Sequence, residues 1–333
     1  MGRALGHDRL RDHLRYQRTC AAGARTEPDV TPTRLGPGVR VGHWTAAGAV
    51  TGTTVVVPDD AAVAAVDVRG NAPATRETDV LAPWRLVERA DAVVLSGGSA
   101  FGLGTAHTVA EALARRGRGV DTPAGPVPIV PAACVFDLVA SAGTWPPPEA
   151  GVEALEAATP SPQWGSVGAG AGATVGKIHG AEWSVPGGIG AAVSTAGGVA
   201  VGAIVVANAL GDVVDDHCEP IAASRAAPGS APVAPIAGSN TTVGVVTVDA
   251  ALSTCEAHVV AQVAHDGFAR CLRPSHTRYD GDTVFVLATG TGPGADPAVV
   301  DAVVAAVPGV VADATRHAVS AGRTGATAEE GPA

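Results

Sequence analysis

Short β-branched runs, each followed within two residues by glycine, proline or aspartate, constrain this chain more than any other feature. Residues 51–57, 62–68, 92–95, 241–248 and 283–288 read as strands, and 197–207 (GGVAVGAIVVA) as a buried strand whose glycines admit close backbone approach. Strand-like text begins at Val39, Pro58-Asp59-Asp60 reads as a hairpin turn, and 127–130 as one more strand. Helical text follows strands at 99–116 and at 254–271, where Ser253-Thr-Cys-Glu256 makes a capping box, and again from 297 to about 320 with Pro308 interrupting. Sheets covered by helices, in a layered α/β or α+β arrangement, satisfy that order. Residues 1–34 read as an arm, 143–172 as a long Pro/Gly-rich functional loop and 223–239 as a linker.

Composition supports packing by small residues. Gly 43 and Pro 25 make about a fifth of the 333 residues, aromatics are 3% and hydrophobic residues 46%. Disorder, collagen and a coiled coil are excluded. Acidic residues exceed basic ones, 32 to 22, for a net charge of −10, so nucleic acid and anionic membranes are poor partners. No apolar run reads as long as the ~18 residues of a membrane span. The charged stretch from Met1 to Cys20 has no signal-peptide core. Five cysteines without a CxxC pair suit a reduced setting, and a cytoplasmic protein is expected.

Two scarcities stand out. Lys177 is the sole lysine among 22 Lys+Arg, and Asn71, Asn208 and Asn240 are the only asparagines. Arginine stays protonated, whereas a buried lysine can lose its proton.

Several constellations fail their tests. Gly168, Gly170, Gly172 and Gly176 precede Lys177, but Ala171 and Ile178 break the phosphate-loop pattern. Gly97-Gly98 lacks GxGxxG, and there is no GxSxG elbow. Asp212, Asp215, Asp216, His217, Cys218 and Glu219 lack metal-ligand spacing and read as a solvated acidic turn. No metal and no cofactor is expected. Ser239-Asn-Thr-Thr242 runs from the linker into a strand. If the Asn240–Thr241 bond were cut, Thr241 would carry a hydroxyl and an α-amine of pKa ~7.7–8.0, which can serve as its base. An ordinary turn before a strand explains the same four residues. Asp280-Gly281-Asp282 is likewise either a turn or a pair of carboxylates sharing a proton.

Taken in order, these pieces have a precedent. Asp67-Val-Arg-Gly70 with Thr75-Arg-Glu-Thr-Asp79, Leu95-Ser-Gly-Gly-Ser-Ala-Phe-Gly-Leu103, Pro128-Ile-Val-Pro131 and Val135-Phe-Asp-Leu138 form the first half of the pattern. Gly172-Ala-Thr-Val-Gly-Lys177, Ala207-Asn208, Ser239-Asn-Thr-Thr242 and Asp280-Gly-Asp-Thr283 form the second. With these motifs, over roughly residues 35 to 320, the chain resembles the P1-family peptidases. That group contains the L-aminopeptidase/D-esterase enzymes and the nylon-oligomer (6-aminohexanoate-oligomer) endohydrolases.

The resemblance implies an α+β fold, a four-layer αββα sandwich. It also implies a single catalytic domain, 35–333, that cuts itself into 1–240 and 241–333, and assembly into a homo-oligomer such as a tetramer. Thr241 would be the nucleophile, with Lys177, Asn208, Asp280 and Asp282 around it, acting on N-terminal peptide bonds or small linear amides. Asn208 would help stabilise the oxyanion, and the two aspartates would hold the new ammonium. The family's pocket tyrosine falls at Phe136, which removes a hydroxyl, and Tyr279 beside the aspartates is the nearest candidate to replace it. Acyl transfer of the ornithine-acetyltransferase type, which resembles this fold, and a silent, uncut scaffold are the rival expectations.

Overall fold

The strands of this protein are apolar on both faces because both faces are covered. The computed structural model describes residues 35–47, 50–233, 238–290 and 294–326, all within the compact unit Pro32–Ala333. The arm expected at 1–34 lies outside the described residues, as do 234–237 of the linker.

In chain order the elements begin with β1 (Val39–Thr45), β2 (Gly52–Pro58), β3 (Ala62–Val68), β4 (Ala74–Arg76), β5 (Arg89–Ala90) and β6 (Val93–Ser96). Next come α1 (Thr105–Arg115), β7 (Ala132–Cys134), α2 (Glu149–Glu156), β8 (Thr174–Val175) and β9 (Val185–Pro186). Then follow β10 (Gly188–Ala196), β11 (Val199–Asn208), β12 (Asp212–Val214), β13 (Pro220–Ala222) and β14 (Thr241–Val248). The chain continues with α3 (Thr254–Cys271), β15 (Leu272–Arg273), β16 (Thr283–Ala288) and α4 (Pro297–Ala326).

One sheet runs β1-β2-β6-β7-β4 and a second β10-β11-β14-β16-β3-β5. Between them lie Val56 and Leu95 of the first sheet and Ile204, Val206, Val243, Val245, Phe285 and Leu287 of the second. The alternate residues of the second sheet, among them Val201, Val246, Val248, Val284 and Val286, face α3 and α4. On the outer side of the first sheet, Val55, Val57 and Val94 meet α1 and α2. The order is helix, sheet, sheet, helix: a four-layer αββα sandwich of α+β class. Continuous valine text follows from it, since period-2 alternation appears only where one face is wet.

The capping box is present, Ser253 accepting from the Glu256 N–H and Glu256 from the Ser253 N–H. Other expectations change. Pro58-Asp59-Asp60 does not close a hairpin; it carries the chain from β2 in one sheet to β3 in the other. The turn residues mark a reversal, but two strands buried on both faces carry no sign of which neighbour each will pair with. Residues 127–130 form no strand beyond a single bridge from Val127 to Val120. Pro128 and Pro131 cannot donate to a ladder, and the N–H groups between them bond side chains: Ile129 to Asp91 Oδ2 at 3.0 Å and Val130 to Glu77 Oε2 at 2.9 Å. The strand beside β6 is β7 instead. The supposed loop 143–172 contains α2.

β10 went unread, although Gly197 and Gly198, both with positive φ, make the two-residue turn that joins it to β11. Helix α4 passes through Pro308, because its face on either side (Val303, Val307, Val310, Val311) is buried and outweighs one missing hydrogen bond. An 18-residue window within its segment Pro297–Arg323 has a mean hydropathy of 1.7, so by length and composition alone this helix could span a membrane, although it is not an unbroken apolar run. Here that apolarity serves packing against β10, β11 and α3.

Phe285 fills the space between the two sheets at 0% exposure. Phe285→Ala should therefore destabilise the fold by about 3–5 kcal/mol, read as a lower urea midpoint at unchanged slope.

Candidate active site

Strand register brings the candidate residues together. β11 and β14 pair antiparallel with Asn208 opposite Thr241, and β14 and β16 run parallel with Val243 opposite Thr283. The segments entering those two parallel strands therefore lie side by side, with a bridge between Asn240 and Asp280. Lys177 follows β8, and its N–H donates to the Leu210 carbonyl at 2.8 Å, which ties it to the chain just past β11. Lys177, Asn208, Asn240, Thr241, Asp280 and Asp282 are all buried.

The Asn240–Thr241 peptide is the centre of the group. Thr241 Oγ1 lies 2.5 Å from the Asn240 carbonyl oxygen. That oxygen also accepts the Gly281 N–H at 3.0 Å. Gly281 has to be glycine: a Cβ there would stand 2.8 Å from Thr241 Oγ1 and 2.7 Å from the Ala72 carbonyl.

Lys177 Nζ donates to the Asn208 carbonyl and to Asn208 Oδ1, both at 3.0 Å, and to the Ser239 carbonyl at 3.3 Å. Three acceptors suit an ammonium. Burial works against the charge and lowers the amine to about 7, with Asp280 pulling the other way. The sole lysine therefore stands poised between base and acid near neutrality. Asn208 Oδ1 also accepts the Thr174 N–H at 3.0 Å, and its Nδ2 donates to the Phe136 carbonyl at 3.2 Å. Asn208 spends one of its two amide N–H groups on Phe136 and its Oδ1 on Lys177 and Thr174, and the N–H that reaches the Asn240 carbonyl is Gly281's.

The aspartates flank Gly281 and take separate partners. Asp280 Oδ2 accepts from the Thr277 N–H at 2.7 Å and its hydroxyl at 2.5 Å. Burial, followed by the charge of Asp282, raises the Asp280 pKa. Asp282 Oδ1 accepts the Thr242 N–H at 2.7 Å, and Oδ2 lies 2.8 Å from His276 Nδ1. His276 was missed in the sequence. Its contact depends on a left-handed backbone, φ 51°, and no spacing rule signals that.

A cavity of about 370 Å³ opens beside this cluster. Phe136, Val139, Ala140 and Val233 give it apolar walls, and Lys177, Ser239, Asn240 and Glu182 supply polar ones. Asn240 Oδ1 is buried with no hydrogen-bond partner among the described residues. Tyr279 does not line the cavity; its ring lies under the Arg278 guanidinium at 4.9 Å. The acidic turn at 212–219 is a separate feature, in which Asp215 Oδ1 accepts the His217 and Glu219 N–H groups at 2.8 Å each.

Because Lys177 has no competitor in the spectrum, ¹⁵N NMR of lysine-labelled protein should show a single side-chain titration. Its midpoint is expected near pH 7 instead of about 10.4 for a free lysine.

The comparisons with known proteins agree with this fold. Residues 36–332 match the family model for peptidase family S58. An uncharacterized aminopeptidase of Mycobacterium tuberculosis (strain ATCC 25618 / H37Rv) is 42% identical, over 76% of this chain and 80% of that one. A 6-aminohexanoate-oligomer endohydrolase of Paenarthrobacter ureafaciens is 29% identical, over 76% of this chain and 73% of that one. Among solved structures, a Burkholderia sp. β-aminopeptidase superposes with a TM-score of 0.68 at 22% identity, covering 87% of this chain and 86% of that one. The L-aminopeptidase D-Ala-esterase/amidase of Ochrobactrum anthropi, described as a variant of the Ntn hydrolase fold, gives 0.67 at 18% identity, covering 88% and 87%. The chain belongs to peptidase family S58 and is a hydrolase of peptide or amide bonds.

Proposed function

We propose that Thr241 cuts the chain at Asn240–Thr241 and then, as the new N-terminal residue, serves as the nucleophile for small linear amides or N-terminal peptide bonds. One observation carries this reading. The Thr241 hydroxyl lies against the carbonyl of its own preceding peptide, which an inward-facing N–H of Gly281 already polarises.

In the first step Thr241 Oγ1 attacks the Asn240 carbonyl carbon and gives its proton to neutral Lys177. The charge that develops on oxygen is met by the Gly281 N–H, an arrangement worth roughly 3–4 kcal/mol per well-placed donor. The amide collapses to an ester as Lys177 returns the proton to the departing Thr241 nitrogen, and water hydrolyses the ester to the Asn240 carboxylate and the free Thr241 hydroxyl. The freed amine, with pKa of about 7.7–8.0, then acts as base for the same hydroxyl in substrate turnover. Cutting need not separate the pieces. β11 and β3 from the first 240 residues hold β14 and β16 between them in one sheet, so 241–333 remains part of the fold.

The cavity beside Asn240 supports acyl groups with an apolar stem, and the relative named for 6-aminohexanoate oligomers makes linear oligoamides the first substrates to try. Wild-type protein should hydrolyse such an oligomer or an aminoacyl anilide. Thr241→Ala should lose on the order of 10³-fold or more, while Thr241→Ser retains activity. Undiminished hydrolysis by Thr241→Ala would overturn the reading, and product formed only with an added amine acceptor would replace hydrolysis by acyl transfer.

A further inference from the structure

Behind the aspartate pair lies a histidine pair. His276 presents both its ring and its backbone to one oxygen: Nδ1 lies 2.8 Å and the backbone N 3.3 Å from Asp282 Oδ2. It holds φ at 51°, a left-handed conformation that non-glycine residues adopt at a cost. Its other ring nitrogen, Nε2, faces the His265 carbonyl at 3.3 Å. Both ring nitrogens thus look at oxygens that only accept, and only the imidazolium has two N–H groups to give them.

We propose that His276 is a positioning residue that stands as an imidazolium against Asp282, so that the proton this pair of carboxylates takes up as pH falls goes first to Asp280. Two buried carboxylates on either side of one glycine cannot both ionise cheaply, so their proton goes to the one with the weaker support for charge. Asp282 has the imidazolium and two backbone N–H groups, whereas Asp280 has only neutral donors, the Thr277 N–H and hydroxyl and the Leu210 N–H. The Asp280 pKa is raised, as that division requires. Burial opposes the charge on His276, and the bond and charge of Asp282 outweigh it, so its pKa is raised too.

The other groups facing this ring do not supply the counter-charge. His265, from α3, packs with ring centroids 4.9 Å away. Its Nε2 donates to the Asp67 carbonyl at 3.0 Å. Burial holds its pKa well below the usual value, so it is the neutral member. Arg69 approaches from beyond β3, but its guanidinium pairs with Asp67 at 2.9 Å and Asp266 at 3.8 Å. Asp67 itself lies 3.6 Å from His265 Nε2. Asp282 is the one carboxylate that reaches His276 among the described residues.

The kinetic consequence rests on Thr241 as nucleophile, whereas the charge state can be read without any reaction. In ¹⁵N NMR of histidine-labelled wild-type protein, the His276 signals are those missing from His276→Asn. At about pH 7.5, a unit above free imidazole, both nitrogens of His276 should resonate as protonated, and in Asp282→Asn the ring should be neutral at the same pH. His276→Asn tolerates the left-handed backbone and keeps a neutral donor in place of Nδ1. It should slow cleavage at Asn240–Thr241 tenfold or more and move the acid limb of the pH profile up by about one unit. A neutral His276 at pH 7.5 in the wild type overturns the assignment, and so does a His276→Asn protein with wild-type rate and profile. An uncut wild-type chain whose His276 is charged upholds the charge assignment and removes the Thr241 reading instead.

Discussion

Burying the Lys177 amino group against the carbonyls of Asn208 and Ser239 sets the terms for everything else at this end of the sheets. Lowering a lysine from its ordinary value to about 7 corresponds to roughly 5 kcal/mol taken from the charged form. That is comparable to the whole net stability of many domains, about 5–15 kcal/mol. Arginine would not serve, because its guanidinium keeps its proton under such pressure. The chain uses arginine at every other cationic position and keeps lysine at the one place where proton loss is within reach.

The sandwich makes this burial possible. The candidate residues lie at the ends of β11, β14 and β16, strands covered on both faces, and are themselves buried. Parallel pairing of β14 with β16 is the decisive detail. It puts the start of one strand beside the start of the other, so the Asn240–Thr241 peptide and the Asp280-Gly281-Asp282 turn share a wall. Glycine at 281 allows that turn to come within hydrogen-bond reach of the peptide without striking the threonine hydroxyl.

Much of this was legible in the sequence, and the parts that were not have physical reasons. Strands at 62–68, 241–248 and 283–288 and the capped helix α3 are local patterns and appear where their residues say. The partner of β2 was not legible, because a valine run buried on both faces has no polar side to fix its neighbours. The proline-flanked 127–130 looked like a strand until its N–H groups were traced to side chains. At the site, the rarity of lysine and asparagine drew attention to Lys177, Asn208 and Asn240 but equally to Asn71, and only the order of motifs separated them. The function of Asn208 depends on where its amide points, and that of His276 on a left-handed backbone; neither is written in spacing. The steric need for glycine at 281 was visible only as the middle of an ambiguous DxD.

The Asn240–Thr241 peptide is either a reaction site or merely a turn before a strand, and N-terminal sequencing of the purified, denatured wild-type protein separates the two. A reaction site gives a second N-terminus reading Thr-Thr-Val-Gly-Val, from residues 241–245, that is absent when Thr241 is replaced by alanine. A single N-terminus in the wild type after prolonged incubation near pH 8, or the same second N-terminus in the variant, would contradict it.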